Sequence, residues 1–333
     1  MVFQYTNTDY HIQYKYIDGS WDSGKLVDDP YANISIASSC LHYGQQCFEG
    51  LKAFKHRDDS VKIFRYEDVL SRLNKSANFI CAPNISEKMF YDALCRVIKA
   101  NMKYIPSYNN EGSLYIRPLL IGISPTLGVS PSKEYLFIIF VSPVSDYYKK
   151  SDKDELIDVI VSDDCDRSTI TGTGSYKLGA NYALTLRSSV NMNANGFHTV
   201  LFLDPKEHIY IDEFTTSNFI AITEDNRYVT PESNTILPSI TNNSLMKIAK
   251  DYLGMKVEVR PVKFDEIKNF SEIGSCGTAA VISSVRKIVQ ENKEVFRLKK
   301  MRDNSVLNTL KKILVKIQKG DMPNSYNWLK AIS

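Results

Sequence analysis

The chain has 333 residues, 43% hydrophobic and 24% charged, an ordinary globular composition in a length beyond what one hydrophobic core usually sustains, so two packed domains are expected. Its 41 basic and 38 acidic residues leave a formal charge of +3, too slight an excess for a phosphate-tracking surface, and nucleic acid is not an expected partner. No apolar run approaches membrane-spanning length, residues 1–16 lack a basic stretch followed by an apolar core, and six cysteines show neither CxxC nor zinc-ligand spacing, so a reduced cytoplasmic setting without membrane or metal is expected.

In chain order, Tyr10 to Trp21 reads as strands meeting at Asp18-Gly19, a dipeptide suited to a tight hairpin. The strand-like run 61–64 precedes a helical stripe of Leu70, Leu73, Ala77 and Ile80. A second helix is predicted after Ser86, an N-cap type, with Phe90, Ala93, Leu94, Val97 and Ile98 on one face. Strands follow over 113–123 and 134–143. Residues 144–155 lose their aliphatic side chains and gain charge, which predicts an interdomain linker between domains at 1–143 and 156–333. Beyond it come a strand over 156–161, a Gly-rich turn, a helix from about Ala180 to Gly196 and a strand over 199–203, so the second half is expected to alternate strand and helix. Helices are predicted over 241–252, stopped by Gly254, and over 305–319, stopped by Gly320. No internal repeat is visible.

Gly172-Thr173-Gly174 lacks the third glycine of a dinucleotide fingerprint, and no Walker-type lysine follows it. The informative pattern is a set of segments: HYGQQCFEGLKAF (42–54), FRYEDVLSRLNKSA (64–77), LYIRPLL (114–120), GTGSYKLGANYA (172–183), DEFTTSNFIAI (212–222), ILPSITNNSL (236–245) and SCGTAAVIS (275–283). In order and spacing they resemble the branched-chain amino acid aminotransferases among the fold type IV pyridoxal-phosphate enzymes. The resemblance implies a mixed α/β (α+β) fold with a smaller N-terminal α/β domain and a larger C-terminal pseudo-barrel domain. It also implies pyridoxal 5′-phosphate as cofactor, a homodimer, and ping-pong transfer of an amino group from a branched-chain amino acid to 2-oxoglutarate, yielding glutamate and a 2-oxo acid.

By the same resemblance Lys177 is the Schiff-base lysine, which must shed its proton to act as nucleophile and base. Glu213 pairs with the pyridine nitrogen, so that the protonated ring accepts electrons from the substrate Cα. Tyr182 bonds the phenolic oxygen, while Arg72, Thr216, Ile240, Thr241 and Thr278 hold the cofactor, the amides of Ile240 and Thr241 cradling its phosphate at a helix start. Tyr115 with the amides of Thr278 and Ala279 takes the substrate α-carboxylate, Arg117 the second carboxylate of glutamate, and Tyr43, Phe48 and Tyr147 line an aromatic wall for aliphatic side chains. Leu127 and Val129 lie on a loop that completes the neighbouring subunit's pocket. The plain alternatives are a solvent-facing acid for Glu213, a surface charge for Arg72 and a core aromatic for Phe48. Asn242-Asn243 and Ser145-Asp146 depart from the family's pattern. A D-amino-acid aminotransferase or aminodeoxychorismate lyase would share the lysine and glutamate, but HYG with FEGLKAF argues against both; a catalytically dead scaffold would not need Lys177, Glu213, Tyr182 and Arg72 together.

Overall fold

The computed structural model describes residues 4–110, 112–144, 156–299, 305–323 and 325–332. Two compact units emerge, one of Met1–Tyr147, Tyr176–Gly179 and Gln318–Ser333, the other of Tyr148–Ser175 and Ala180–Ile317. The predicted linker lies almost wholly outside the described residues, since 145–155 are not among them. The division also departs from a single cut: segments 176–179 and 318–333 pack with the N-terminal unit.

In the first unit the strands are β1 (His11–Ile17), β2 (Ser20–Trp21), β3 (Lys25–Val27), β4 (Gln46–Phe48), β5 (Leu51–Lys55), β6 (Val61–Phe64), β7 (Ser113–Gly122) and β8 (Tyr135–Val144), with helices α1 (Ser39–Tyr43), α2 (Tyr66–Phe79) and α3 (Glu87–Ala100). Asp18 (φ 51°) and Gly19 (φ 81°) both take the left-handed conformation that a two-residue hairpin turn requires, which places β1 and β2 where the dipeptide predicts them. The Ser86 hydroxyl accepts from the Met89 amide, and Phe90, Ala93, Leu94, Val97 and Ile98 are all buried beneath α3. Ile80, expected inside the preceding helix, is its C-cap instead.

β7 and β8 pair antiparallel from Ser113↔Val144 to Gly122↔Tyr135. Alternation along β7 sends Leu114, Ile116 and Leu120 to one face, fully buried, and Tyr115 and Arg117 to the other. Phe137, opposite Leu120, meets Phe90 of α3, so the helices cover the first face and the second is left for Tyr115 and Arg117.

The second unit contains β9 (Ile157–Val161), α4 (Gly179–Ala183, whose first residue groups with the other unit), α5 (Leu186–Ala194), β10 (Thr199–Leu203), β11 (Ile211–Phe214), β12 (Asn218–Thr223), β13 (Tyr228–Pro231), α6 (Ile240–Leu253), β14 (Val257–Arg260), β15 (Phe270–Gly277), β16 (Val281–Gln290), β17 (Lys293–Arg297) and α7 (Val306–Lys319, whose last two residues group with the other unit). Strands β11, β10, β9, β16, β15 and β12 are hydrogen-bonded in that order, and β11 pairs back to β12, which closes a six-stranded ring. Ile157, Val159, Leu201, Phe214, Phe219, Ile273 and Val285 fill its core. The expected alternation of strand and helix is therefore corrected. Strands β10 to β13 follow one another without a helix, because antiparallel neighbours need only short turns such as that closed by the Phe214 amide on the Ser217 carbonyl. The single helix expected over 180–196 divides near Thr185, where Leu184, Leu186 and Val190 are exposed and no continuous apolar stripe holds the two pieces in line.

α6 ends at Gly254 in the left-handed conformation, as predicted. At the start of α7, Glu272 accepts from the Ser305 hydroxyl (2.7 Å) and from the Val306 (2.9 Å) and Leu307 (3.1 Å) amides, satisfying N–H groups that a helix start leaves over. A last strand, β18 (Leu329–Ala331), returns to β6 in the first unit, whose nine-stranded sheet runs β18-β6-β5-β7-β8-β1-β2 with β3 beside β1 and β4 beside β7. Among the described residues no helix is long and apolar enough to cross a membrane.

Candidate active-site residues

Lys177 belongs to a four-residue segment held by the first unit at several points. Tyr176 stacks on Phe79 with ring centroids 4.1 Å apart, and the Lys75 ammonium lies 5.4 Å from the Tyr176 centroid. The Lys177 amide donates to the Ser76 hydroxyl (3.0 Å), and its carbonyl accepts from the Phe48 amide (3.2 Å). Leu178 bridges Cys47 of β4. With its backbone fixed, Lys177 places its amine 5.0 Å from the centroid of the Phe48 ring. Phe48 is half-buried rather than a core aromatic, and the Arg117 guanidinium lies 4.8 Å from the same centroid.

Arg117 donates to the Tyr115 hydroxyl from Nη2 (2.8 Å) and Nε (3.3 Å). Gly50 leaves room for that hydroxyl, because a Cβ there would stand 2.2 Å from it. Arg72 is no surface charge: its side chain is 12% exposed and meets the fully buried Glu49 through two bonds, Nε to Oε1 at 2.6 Å and Nη2 to Oε2 at 2.7 Å. Glu49 Oε2 also accepts from the Gly50 amide. The structure thus brings Phe48, Tyr115, Arg117 and Lys177 together, with Arg72 tied to the residue after Phe48. Tyr43 is half-exposed, its hydroxyl bonded to the Leu127 carbonyl; the Leu127 and Val129 side chains are 93% and 84% exposed. Tyr147 lies outside the described residues.

In the second unit Glu213 lies one residue before the end of β11 and is 2% exposed, a buried carboxylate rather than a solvent-facing acid. Its Oε1 accepts from the Leu237 amide at 2.8 Å and lies 2.6 Å from Arg167 Nη1, while Asn218 Nδ2 reaches Oε2 at 3.5 Å. Asp212, next in chain, accepts from the Thr235 hydroxyl at 2.5 Å, and burial raises its carboxyl to about 6 against the opposing pull of that bond and of the Arg167 charge.

Three residues beyond Leu237 the chain enters α6, where Ser239 caps the helix by accepting from the Asn242 amide, with Ile240 and Thr241 ahead of that bond. Asn242 is buried, taking the Tyr228 hydroxyl at 2.7 Å and donating to Thr230 at 2.8 Å; the basic side chain common there in the resembled family would have to leave this network. Thr278 and Ala279 sit half-buried in the turn between β15 and β16, and the carbonyl of the exposed Thr216 comes within 3.8 Å of where a Cβ on Gly277 would stand. Tyr182 is half-buried in α4, and the neighbouring Asn181 amide donates to the Thr173 carbonyl, tying the Gly-rich turn to that helix. Glu49 and Arg167 were not singled out by sequence. Glu49 stands inside FEGLKAF, but Arg167, in the acidic run DDCDRS, has no local mark distinguishing it from a surface charge.

A family model, amino-transferase class IV, matches residues 46–288. The chain belongs to the class IV aminotransferases. Among curated members of this family, the branched-chain-amino-acid aminotransferase of Helicobacter pylori is 38% identical over 328 residues, covering 98% of this chain and 95% of that protein. Among solved class IV folds, the crystal structure of Escherichia coli branched-chain amino acid aminotransferase superposes with a TM-score of 0.81 at 24% identity, covering 98% of this chain and all of that one. The branched-chain amino acid aminotransferase of Thermobaculum terrenum, solved in its PLP-containing holo form, superposes with a TM-score of 0.79 at 22% identity, covering 98% of this chain and 99% of that one. The mixed α/β fold expected from the segment pattern is thus the fold of these enzymes.

Proposed function

We propose that this protein is a branched-chain amino acid aminotransferase, moving the amino group of L-leucine, L-isoleucine or L-valine to 2-oxoglutarate with pyridoxal 5′-phosphate as cofactor. Family membership and the near full-length likeness to the Helicobacter pylori enzyme support the reaction. The observation that carries the residue assignment is the Lys177 segment, pinned at its amide and carbonyl while its amine lies over an aromatic face beside Arg117.

The donor set fits the cofactor. A buried carboxylate suits a cationic ring N–H, and the first amides of a 14-residue helix suit a phosphate. When bound, pyridoxal phosphate supplies an aldehyde that exchanges amines and a ring that withdraws electrons from the substrate Cα. Lys177 anchors the cofactor and then carries the proton leaving Cα. Glu213 keeps the ring nitrogen protonated, and Tyr182 donates to the phenolic oxygen. Arg72, Ile240, Thr241 and Thr278 bind the phosphate and Thr216 helps hold the cofactor, with Glu49 fixing the plane of the Arg72 guanidinium.

Tyr115, Thr278 and Ala279 are assigned to the α-carboxylate, Arg117 to the second carboxylate of glutamate, and Tyr43, Phe48 and Tyr147 to the aliphatic side chain. Leu127 and Val129, almost wholly exposed, are assigned to the pocket of a second copy, which makes the working form a homodimer. The site for soluble amino and oxo acids calls for no nucleic acid or membrane, and a cytoplasmic setting is part of the reading.

The test is direct. Holoenzyme is expected to show a visible cofactor band that borohydride reduction locks onto Lys177, and Lys177→Ala is expected to lose the trapping and at least about 1,000-fold in turnover. L-leucine, D-alanine and aminodeoxychorismate assayed side by side decide the substrate. Turnover of only the latter two would overturn the assignment.

A further inference from the structure

We propose that Arg167 is a positioning residue that keeps Glu213 ionised and aims its Oε2 at the cofactor's ring nitrogen. The proposal rests on the cofactor reading above and adds to it a residue and a division of labour between the two carboxylate oxygens.

A carboxylate 2% exposed to water favours its neutral form unless a cation compensates it. Arg167, 4% exposed, supplies the cation at 2.6 Å. The Cys276 thiol, pushed up by burial and by the Glu213 charge, and Asp212, its neighbour in the chain, bring no positive charge of their own. Arg167 and the Leu237 amide both address Oε1, whereas Oε2 receives the Asn218 amide at 3.5 Å, so the tightly engaged oxygen orients the other. The equally buried Arg167 Nε and Nη1 and Asp212 Oδ1 find no hydrogen-bond partner among the described residues, so the 2.6 Å approach of Nη1 to Oε1 is a charge pair, and the guanidinium is kept there at a cost that structural packing alone does not explain.

If Arg167 lost its charge, Glu213 would hold the shared proton itself and the ring would keep a neutral nitrogen. The absorbance of the bound cofactor reports this, because a protonated ring nitrogen lowers the pH midpoint of its spectral titration.

The experiment compares wild-type holoenzyme with Arg167→Met, Arg167→Gln and Arg167→Lys. It reads the spectral midpoint, borohydride trapping on Lys177, and the single-turnover rate with L-leucine. The expected result is trapping in every variant, a midpoint raised by about one pH unit or more in the Met and Gln variants, a rate about tenfold or more slower in those two, and substantial recovery of both in the Lys variant. Should Arg167→Met not fold, Arg167→Gln, which keeps donors without charge, decides. A wild-type midpoint in either neutral variant overturns the proposal, and so does a Lys variant as impaired as the Gln variant. Wild-type protein that neither takes up nor traps the cofactor refutes the underlying functional reading instead.

Discussion

Replacing Gly50 by alanine tests the packing on which Tyr115 and Arg117 depend. The added Cβ would stand 2.2 Å from the Tyr115 hydroxyl and 2.9 Å from Cζ, where real Cβ contacts essentially never fall below 3.0 Å. The hydroxyl must therefore retreat by about 0.8 Å, the difference between those two separations. Tyr115 is 8% exposed on a central strand and cannot swing into solvent, so the strain falls on the core and on the 2.8 Å bond from Arg117. Overpacking of this kind costs about 1–3 kcal/mol, and loss of a hydrogen bond from a charged donor about 1.5–3 kcal/mol more. Urea unfolding is expected to show Gly50→Ala destabilised by about 2.5–6 kcal/mol, and steady-state kinetics a raised KM for leucine with a smaller change in kcat. The double variant Gly50→Ala with Tyr115→Phe supplies the control. Deleting the hydroxyl removes the 2.2 Å clash and leaves the milder one at Cζ, so the two substitutions should be less damaging together than the sum of each alone. A single variant within about 0.5 kcal/mol of wild type, or a double variant that is simply additive, would refute the reasoning.

Two stability predictions follow from the second unit. Glu272→Ala removes the carboxylate that receives two amides and a hydroxyl at the start of α7, and thermal unfolding should register a loss of about 1–2 kcal/mol; an unchanged melting temperature would contradict it. Asp212 binds its proton more tightly in the folded chain than in the unfolded one, its value rising from 3.8 to about 6. Its contribution to stability is thus fully present below about pH 4 and lost as the pH rises through about 6. Asp212→Asn removes this dependence, so the stability of the variant relative to wild type should improve between pH 4 and pH 7 by up to about 3 kcal/mol. Parallel unfolding curves for the two proteins across that range would sink the assignment.

Where local chemistry decides structure, the sequence is legible. Asp18-Gly19 supplies the two positive φ values of its turn, Ser86 caps its helix, and Gly254 and Gly320 adopt the left-handed conformation that stops theirs. The closed ring in the second unit is expected from the family resemblance, as a pseudo-barrel, and from no local pattern, because β11 is four residues long and its pairing with β12 rests on a turn rather than a periodic pattern. Of the proposed site, the residues within recognisable segments can be named as candidates from the sequence: Lys177, Glu213, Arg117 and Tyr115. Their supports cannot. Glu49 and Arg167 matter because each is buried against an opposite charge, and burial of a charged side chain is a property of the folded chain that no neighbouring residue announces.

The grouping of residues 176–179 with the N-terminal unit has a practical corollary for anyone dissecting the gene. Cutting at the charged stretch around 144–155 would deliver Lys177 with a fragment lacking Cys47, Phe48, Lys75, Ser76 and Phe79, whose side chains and backbone groups help seat its segment. Such a fragment could keep its six-stranded ring yet present the amine on an unanchored tether, so trimming studies should treat the polypeptide as indivisible and probe it by point substitution.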